Sequence, residues 1–154
     1  MTREGGQRRI LVVDDEPDIR TVVGLNLRLE GMEFGEAANG QEALEMLRHG
    51  HWDALLLDLM MPGMDGFEVL SRLGPDGLLD DLTVVVLSAQ GTPTAAMTAL
   101  DLGAHLHVTK PFSARAVARA MDELISMSPE EREERRFEGI RRAGTLERLG
   151  MPTV

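Results

Sequence analysis

The chain has 154 residues, 43% of them hydrophobic, which suits one domain with a real core and little room for a second. No cysteine and a net charge of −10 exclude a disulfide framework and thiol chemistry, and they disfavour generic binding to nucleic acid or anionic membranes. No apolar run approaches the ~20 residues of a membrane span and the first nine residues lack a signal-peptide centre, so a cytoplasmic protein is expected.

Residues 1–7 read as a disordered lead-in. Ile10-Leu11-Val12-Val13 is apolar without alternation, as in a strand buried on both faces, and places the first strand at 9–13. Pro17 suits the first turn of a helix whose stripe is Ile19, Val22, Val23 and Leu29, with Gly31 as its stop. Residues 32–38 form a weaker strand nearer an edge. Asn39-Gly40 turns into a helix bearing Ala43, Leu44 and Leu47 on one side, ended by Gly50. Ala54-Leu55-Leu56-Leu57 is again a buried strand, and Met61-Pro62-Gly63-Met64-Asp65-Gly66 is turn chemistry before a short helix around Phe67, Val69, Leu70 and Leu73. Thr83-Val84-Val85-Val86-Leu87 is the strongest strand, β-branched and apolar. Thr92-Pro93 caps and opens a fourth helix through Leu102. A short strand at 106–108 delivers Lys110, and Ser113 caps a fifth helix to about Ile125. Five strand–helix repeats argue for an α/β fold, a doubly wound parallel sheet with right-handed crossovers.

A buried strand gains nothing by ending in a carboxylate, because an unpaired charge there is costly. Yet one apolar run ends at Asp14 and Asp15 and another at Asp58, while Ser88 and Lys110 end two more. Ligands of doubly wound sheets bind outside the carboxyl ends of the strands, and all five residues lie on that edge. Alone, Asp14-Asp15 reads as a helix start. Beside Asp58 it reads as part of a metal site. Crowded carboxylates repel and take up protons unless a cation intervenes, and Mg2+ accepts a few carboxylates, phosphate oxygens and retained waters. Acids with one lysine suit metal-dependent phosphoryl transfer onto Asp58 through an acyl phosphate. A donor that brings its own high-energy bond would need no nucleotide site here, and none is visible: there is no Walker A sequence and no Gly-x-Gly-x-x-Gly.

Four segments, Val12-Val13-Asp14-Asp15-Glu16, Leu57 to Gly66, Leu87-Ser88-Ala89 and Thr109-Lys110-Pro111-Phe112, occur in the order and spacing of a known family. Over residues 8 to 126 the chain resembles the receiver domain of bacterial two-component response regulators. The resemblance implies a five-stranded flavodoxin-like sheet in the order 2-1-3-4-5. It implies that Asp58 accepts a phosphoryl group from a sensor histidine kinase or a histidine phosphotransfer protein. Asp14, Asp15, Asp58 and the backbone carbonyl of Met60 would hold Mg2+. Ser88 and Lys110 would each bind a phosphoryl oxygen, Ser88 coupling it to a switch, and the bond before Pro111 would be cis. Such a chain is a signalling switch that catalyses only its own phosphorylation and slow dephosphorylation. Its output would pass to a downstream protein, without direct nucleic-acid contact or membrane insertion, and a homodimer stays open. A phosphorylation-independent adaptor is the competing reading, against which the intact acids, Ser88 and Lys110 stand.

His107 departs from the family, which usually carries Tyr or Phe there as a rotating switch residue. It reads either as a half-exposed strand residue or as a switch that also titrates. Met60 and Gln90, two beyond Asp58 and Ser88, occupy positions that in the family gate the attacking water.

Residues 1–127 are the expected receiver, and 128–154 a helical or partly disordered extension. In the extension six glutamates match six arginines, so the whole charge deficit lies before it. Ser128-Pro129-Glu130-Glu131 is a helix start, and Glu131–Arg135 and Glu138–Arg142 are favourable four-apart pairs. Phe137, Ile140, Leu146 and Leu149 are its apolar anchors, and Gly139 and Gly144 weaken its centre. It reads either as a frayed extension or as a helix docked through Phe137 and Ile140 on the receiver or a second protomer.

Overall fold

The computed structural model describes residues 6–89 and 93–149. Strands β1 (Arg9–Val13), β2 (Glu33–Ala37), β3 (Ala54–Asp58), β4 (Thr83–Ser88) and β5 (Leu106–Thr109) alternate with five helices. These are α1 (Pro17–Leu29), α2 (Gly40–His49), α3 (Gly66–Leu73), α4 (Pro93–Asp101) and α5 (Ala114–Ser126), and α6 (Pro129–Leu149) follows. The strands make one parallel sheet in the order β2-β1-β3-β4-β5. This is the expected flavodoxin-like order. Gln90 and Thr92 lie outside the described residues, as do residues 1–5 of the lead-in.

The unbroken apolar runs have the meaning inferred for them: every side chain of β3 and β4 is buried. Leu11, Val13, Leu55, Leu57, Val84 and Val86 face a layer that includes Leu44, Leu70 and Leu100 of α2, α3 and α4. Ile10, Val12, Leu56, Val85 and Leu87 face Val23 and Leu27 of α1 and Val117 and Met121 of α5. Strand β2 lies at the edge and is only partly covered, which is why its apolar pattern is weak.

Local chemistry sets the helix ends. Asn39, Asp65 and Ser113 accept hydrogen bonds from the backbone N–H of Glu42, Glu68 and Ala116, each three residues into a helix. Gly31, just past α1, has φ +84°, a conformation that an L side chain resists. The register sets Val13 beside Leu57, Asp58 beside Leu87, and Ser88 beside Thr109. The strand ends that bear acids, hydroxyl and lysine therefore form one edge.

Helix α6 is continuous over 21 residues and docks along α4. Ser128 and Glu131 close a capping box, Ser128 N–H donating to Glu131 Oε1 (3.0 Å) and Glu131 N–H to Ser128 Oγ (3.1 Å). Glu131 is thereby used at the cap, and Arg135 reaches Glu123 of α5 at 3.4 Å instead of the expected Glu131. Ile140 packs on the core and Ala143 is buried, whereas Phe137 is 48% exposed. Ile140 docks on the receiver as one reading anticipated; Phe137 does not. The side chain of Leu146 lies outside the described residues.

Candidate functional site

The β3 strand delivers Asp58 to the sheet edge, where its side chain is 2% exposed and Oδ1 accepts the Met60 N–H at 3.1 Å. Asp14, one residue beyond β1, is fully buried, and its Oδ1 accepts the Glu16 N–H at 2.9 Å. Carboxylate oxygens of Asp14, Asp15 and Asp58 all lie within 4.8 Å of one another. Lys110 extends from the residue after β5, its Nζ donating to Asp14 Oδ2 at 2.9 Å and to Asp58 Oδ2 at 3.2 Å. The Lys110 N–H also donates to the Ser88 carbonyl at 2.7 Å, tying the ends of β4 and β5 together. The Lys110–Pro111 bond is cis, as expected.

The electrostatics follow from this crowding. Burial holds Asp58 above the usual carboxylate range; the Met60 N–H opposes that, Asp14 adds to it, and Lys110 pulls back. Burial works against the Lys110 ammonium too. Its hydrogen bond to Asp14 and the charges of Asp58 and Asp14 outweigh that and hold Lys110 above its ordinary value. Three hard oxygen donors within mutual reach, over-supplied with negative charge, are a donor set that fits a divalent cation such as Mg2+. The sequence-predicted residues Asp14, Asp15, Asp58, Ser88 and Lys110 thus meet at one edge. Met60 borders it through its N–H, with a side chain 64% exposed.

One supporting residue escaped the sequence reading. Arg20 on α1 donates to the Asp14 carbonyl at 2.7 Å and to Glu36 at 3.0 Å, fixing the turn that carries the two acids. Gly66 is also more than turn chemistry. A Cβ there would lie 2.6 Å from the Asp58 carbonyl oxygen and 2.8 Å from Leu59 Cα, so α3 starts against the back of the Asp58 strand end.

Residues 10–122 match the response regulator receiver domain family. The chain belongs to that family. It is a receiver domain of the kind used in two-component systems. Among its relatives, the phosphate regulon transcriptional regulatory protein PhoB of Pseudomonas aeruginosa is 38% identical over 118 residues, which are 77% of this chain and 52% of PhoB. The transcriptional regulatory protein SrrA of Staphylococcus aureus is 37% identical over 116 residues, 75% of this chain and 47% of SrrA. The chain spans about half the length of these relatives. The response regulator TrrA of Thermotoga maritima, solved in complex with Mg2+ and BeF, matches with 32% identity and a TM-score of 0.66. That match covers 76% of this chain and 98% of TrrA. Chemotaxis response regulator CheY4 of Vibrio cholerae matches with 26% identity and a TM-score of 0.71 over 77% of this chain and 98% of CheY4. The family match ends before α6 begins.

Two histidines of the receiver lie away from the acids, on and just before β5. His107 is a partly exposed strand residue, as one reading expects, but both its ring nitrogens are buried, with no hydrogen-bond partner among the described residues. Burial holds its pKa below the usual histidine value. His105 accepts the Val84 N–H at Nδ1 (3.1 Å), so the neutral ring carries its proton on Nε2. Burial, aided by the charges of Arg132 and Arg136 and opposed by Glu133, lowers His105 to about 4. The folded state therefore binds this proton more weakly than the unfolded chain. The stability tied to neutral His105 is complete above pH ~6.5 and is lost as the pH falls through about 4, an order-of-magnitude loss of about 3 kcal/mol. Urea denaturation of wild type and His105→Asn across that window should give a visibly flatter profile for the variant.

Proposed function

We propose that Asp58 is the phosphoacceptor of this receiver, taking its phosphoryl group from the phosphohistidine of a sensor histidine kinase or a histidine phosphotransfer protein. The observation that carries this reading is the buried Asp58 carboxylate, held by Lys110 at 3.2 Å and grouped with Asp14 and Asp15. A carboxylate oxygen of Asp58 attacks phosphorus and forms the acyl phosphate. The P–N bond of the donor breaks, and its electron pair leaves with the imidazole, which takes up a proton from solvent. Lys110 neutralises charge gathering on an equatorial oxygen, and the Ser88 hydroxyl takes another and couples it to the switch, in which His107 takes part. Asp14, Asp15, Asp58 and the Met60 carbonyl would hold Mg2+. When bound, Mg2+ supplies the positive charge that lets a dianionic phosphoryl group approach three carboxylates.

The chain is a switch in this reading, performing only its own phosphorylation and slow dephosphorylation. Residues 1–127 are the receiver and 128–154 its extension. A net charge of −10 favours output through a downstream protein rather than through nucleic acid.

Phosphorylation with acetyl phosphate, followed by borohydride reduction of the acyl phosphate and peptide mapping, should place the reduced residue at position 58. Trapping at Asp14, Asp15 or any other acid would overturn the assignment. Asp14→Asn should abolish the Mg2+ requirement together with most of the phosphorylation.

A further inference from the structure

Helix α6 lies across α4 and β5, elements that follow or precede two residues of the proposed phosphoryl site. Helix α4 follows β4, which ends at Ser88, and β5 ends one residue before Lys110. Arg136 of α6 donates to the carbonyl of Leu100 in the last turn of α4 at 2.6 Å. A Cβ on Gly139 would stand 3.1 Å from Leu100 Cδ1, so even an alanine needs Leu100 to give way slightly and a large side chain would press on this approach. Beneath α6, His107 of β5 borders a cavity of about 280 Å3 whose walls include Ala96 and Leu100 of α4 and Arg142 and Ala143 of α6.

The grip is close but shallow. Ala143 is buried and Ile140 rests on the core, while Phe137 and Leu149 are 48% and 66% exposed. The rest of α6 is dominated by glutamate and arginine. Its attachment at the other end is polar: Arg132 donates to the Met127 carbonyl at 2.7 Å and to that of Leu124 at 3.4 Å. A helix seated by two apolar side chains, the Gly139 approach and the Arg136–Leu100 bond, with little other apolar cover, suits two states, seated or free, because these contacts all depend on the position of α4. In the seated state both nitrogens of His107, which borders the cavity under α6, have no hydrogen-bond partner among the described residues, a cost that seating leaves unrelieved.

We propose that α6 is a detachable cover of the α4–β5 face, seated while Asp58 is unphosphorylated and released when Asp58 is phosphorylated, so that this face opens only in the activated receiver. The inference rests on the proposed role of Asp58. Ser88 moving towards a phosphoryl oxygen shifts the start of α4, and the Ser88–Lys110 backbone bond carries the same movement to the end of β5. Helix α6 sits on the same two elements, against Leu100 in the last turn of α4 and beside His107 in β5. The occupant of the closed face is this chain's own segment 129–149, and any downstream partner must compete with it.

Hydrogen exchange over residues 129–149 of the full chain, with and without beryllofluoride and Mg2+, tests this. Exchange should quicken about tenfold or more on activation, because a helix of this length is marginal once undocked. It should not change in Asp58→Asn. Coupling is reciprocal, so Ile140→Glu and, independently, Gly139→Leu should exchange rapidly without activation and bind beryllofluoride several-fold more tightly. Acetyl phosphate and intact mass, run in parallel, separate the two ideas. A phosphorylated wild-type chain whose 129–149 segment stays protected would overturn the cover. A folded chain that gains no phosphoryl group would overturn the role of Asp58, and the cover with it.

Discussion

Lys110→Met is expected to cost the metal-free protein about 3 kcal/mol of folding stability at neutral pH, and most of that loss should return on adding Mg2+. The Lys110 side chain is 14% exposed, and its partners Asp14 and Asp58 are 0% and 2% exposed. Methionine keeps much of the volume and removes the only positive charge that reaches these two carboxylates among the described residues. Two buried anions then face each other with no counter-charge, the situation in which breaking a buried pair costs most. Asp58 is already above the usual carboxylate range, and losing Lys110 drives it higher. The destabilisation should therefore shrink as the pH is lowered and Asp58 takes up a proton. Urea denaturation at two pH values, with Mg2+ and with chelator, measures all of this. A loss below about 1 kcal/mol at neutral pH would mean that the lysine is not the counter-ion of the cluster.

Gly66→Ala is expected to cost about 3 kcal/mol and to impair phosphorylation in the fraction that still folds. The added carbon would meet the Asp58 carbonyl oxygen at 2.6 Å and Leu59 Cα at 2.8 Å, and both are backbone. Neither can rotate aside as a side-chain tip does, so relief requires moving α3 or the end of β3. Moving β3 displaces Asp58 from Lys110. Gly63→Ala is the control. It has open space around it and φ +76°, so it should cost only about 1 kcal/mol through backbone conformation, with Asp58 undisturbed. Thermal melts of the two variants, read with the phosphorylation rate, distinguish displacement of the site from general loss of stability.

That the site residues would meet was legible because burial leaves so few reasons for them to be at the strand ends. Asp14, Asp58 and Lys110 end apolar runs where a charge needs a partner, and the parallel register brings those ends together. Arg20 was not legible: on α1 it looks like any surface arginine, and only the fold turns it towards the Asp14 carbonyl. The extension was misjudged in detail for a similar reason. Gly139 weakens an isolated helix, yet here its missing side chain lets α6 approach Leu100, a tertiary contact that propensity does not encode. Phe137 carries more apolar surface than Ile140, but Ile140 and Ala143 are three apart on the face that meets α4, and Phe137 stays half exposed beside Arg136. Glu131 offered two uses of similar worth, a cap and an ion pair, and the cap prevails. His107 could not be placed from the sequence because part of the cavity it borders is walled by residues some 30 positions further along the chain, in α6.

The most direct test of the account is the intact mass of the full chain after incubation with acetyl phosphate, with Mg2+ and with chelator, beside Asp58→Asn. Wild type should gain one phosphoryl group, only with Mg2+ present, and the variant should gain none. An equal gain in Asp58→Asn, or none in folded wild type with Mg2+ present, would contradict it.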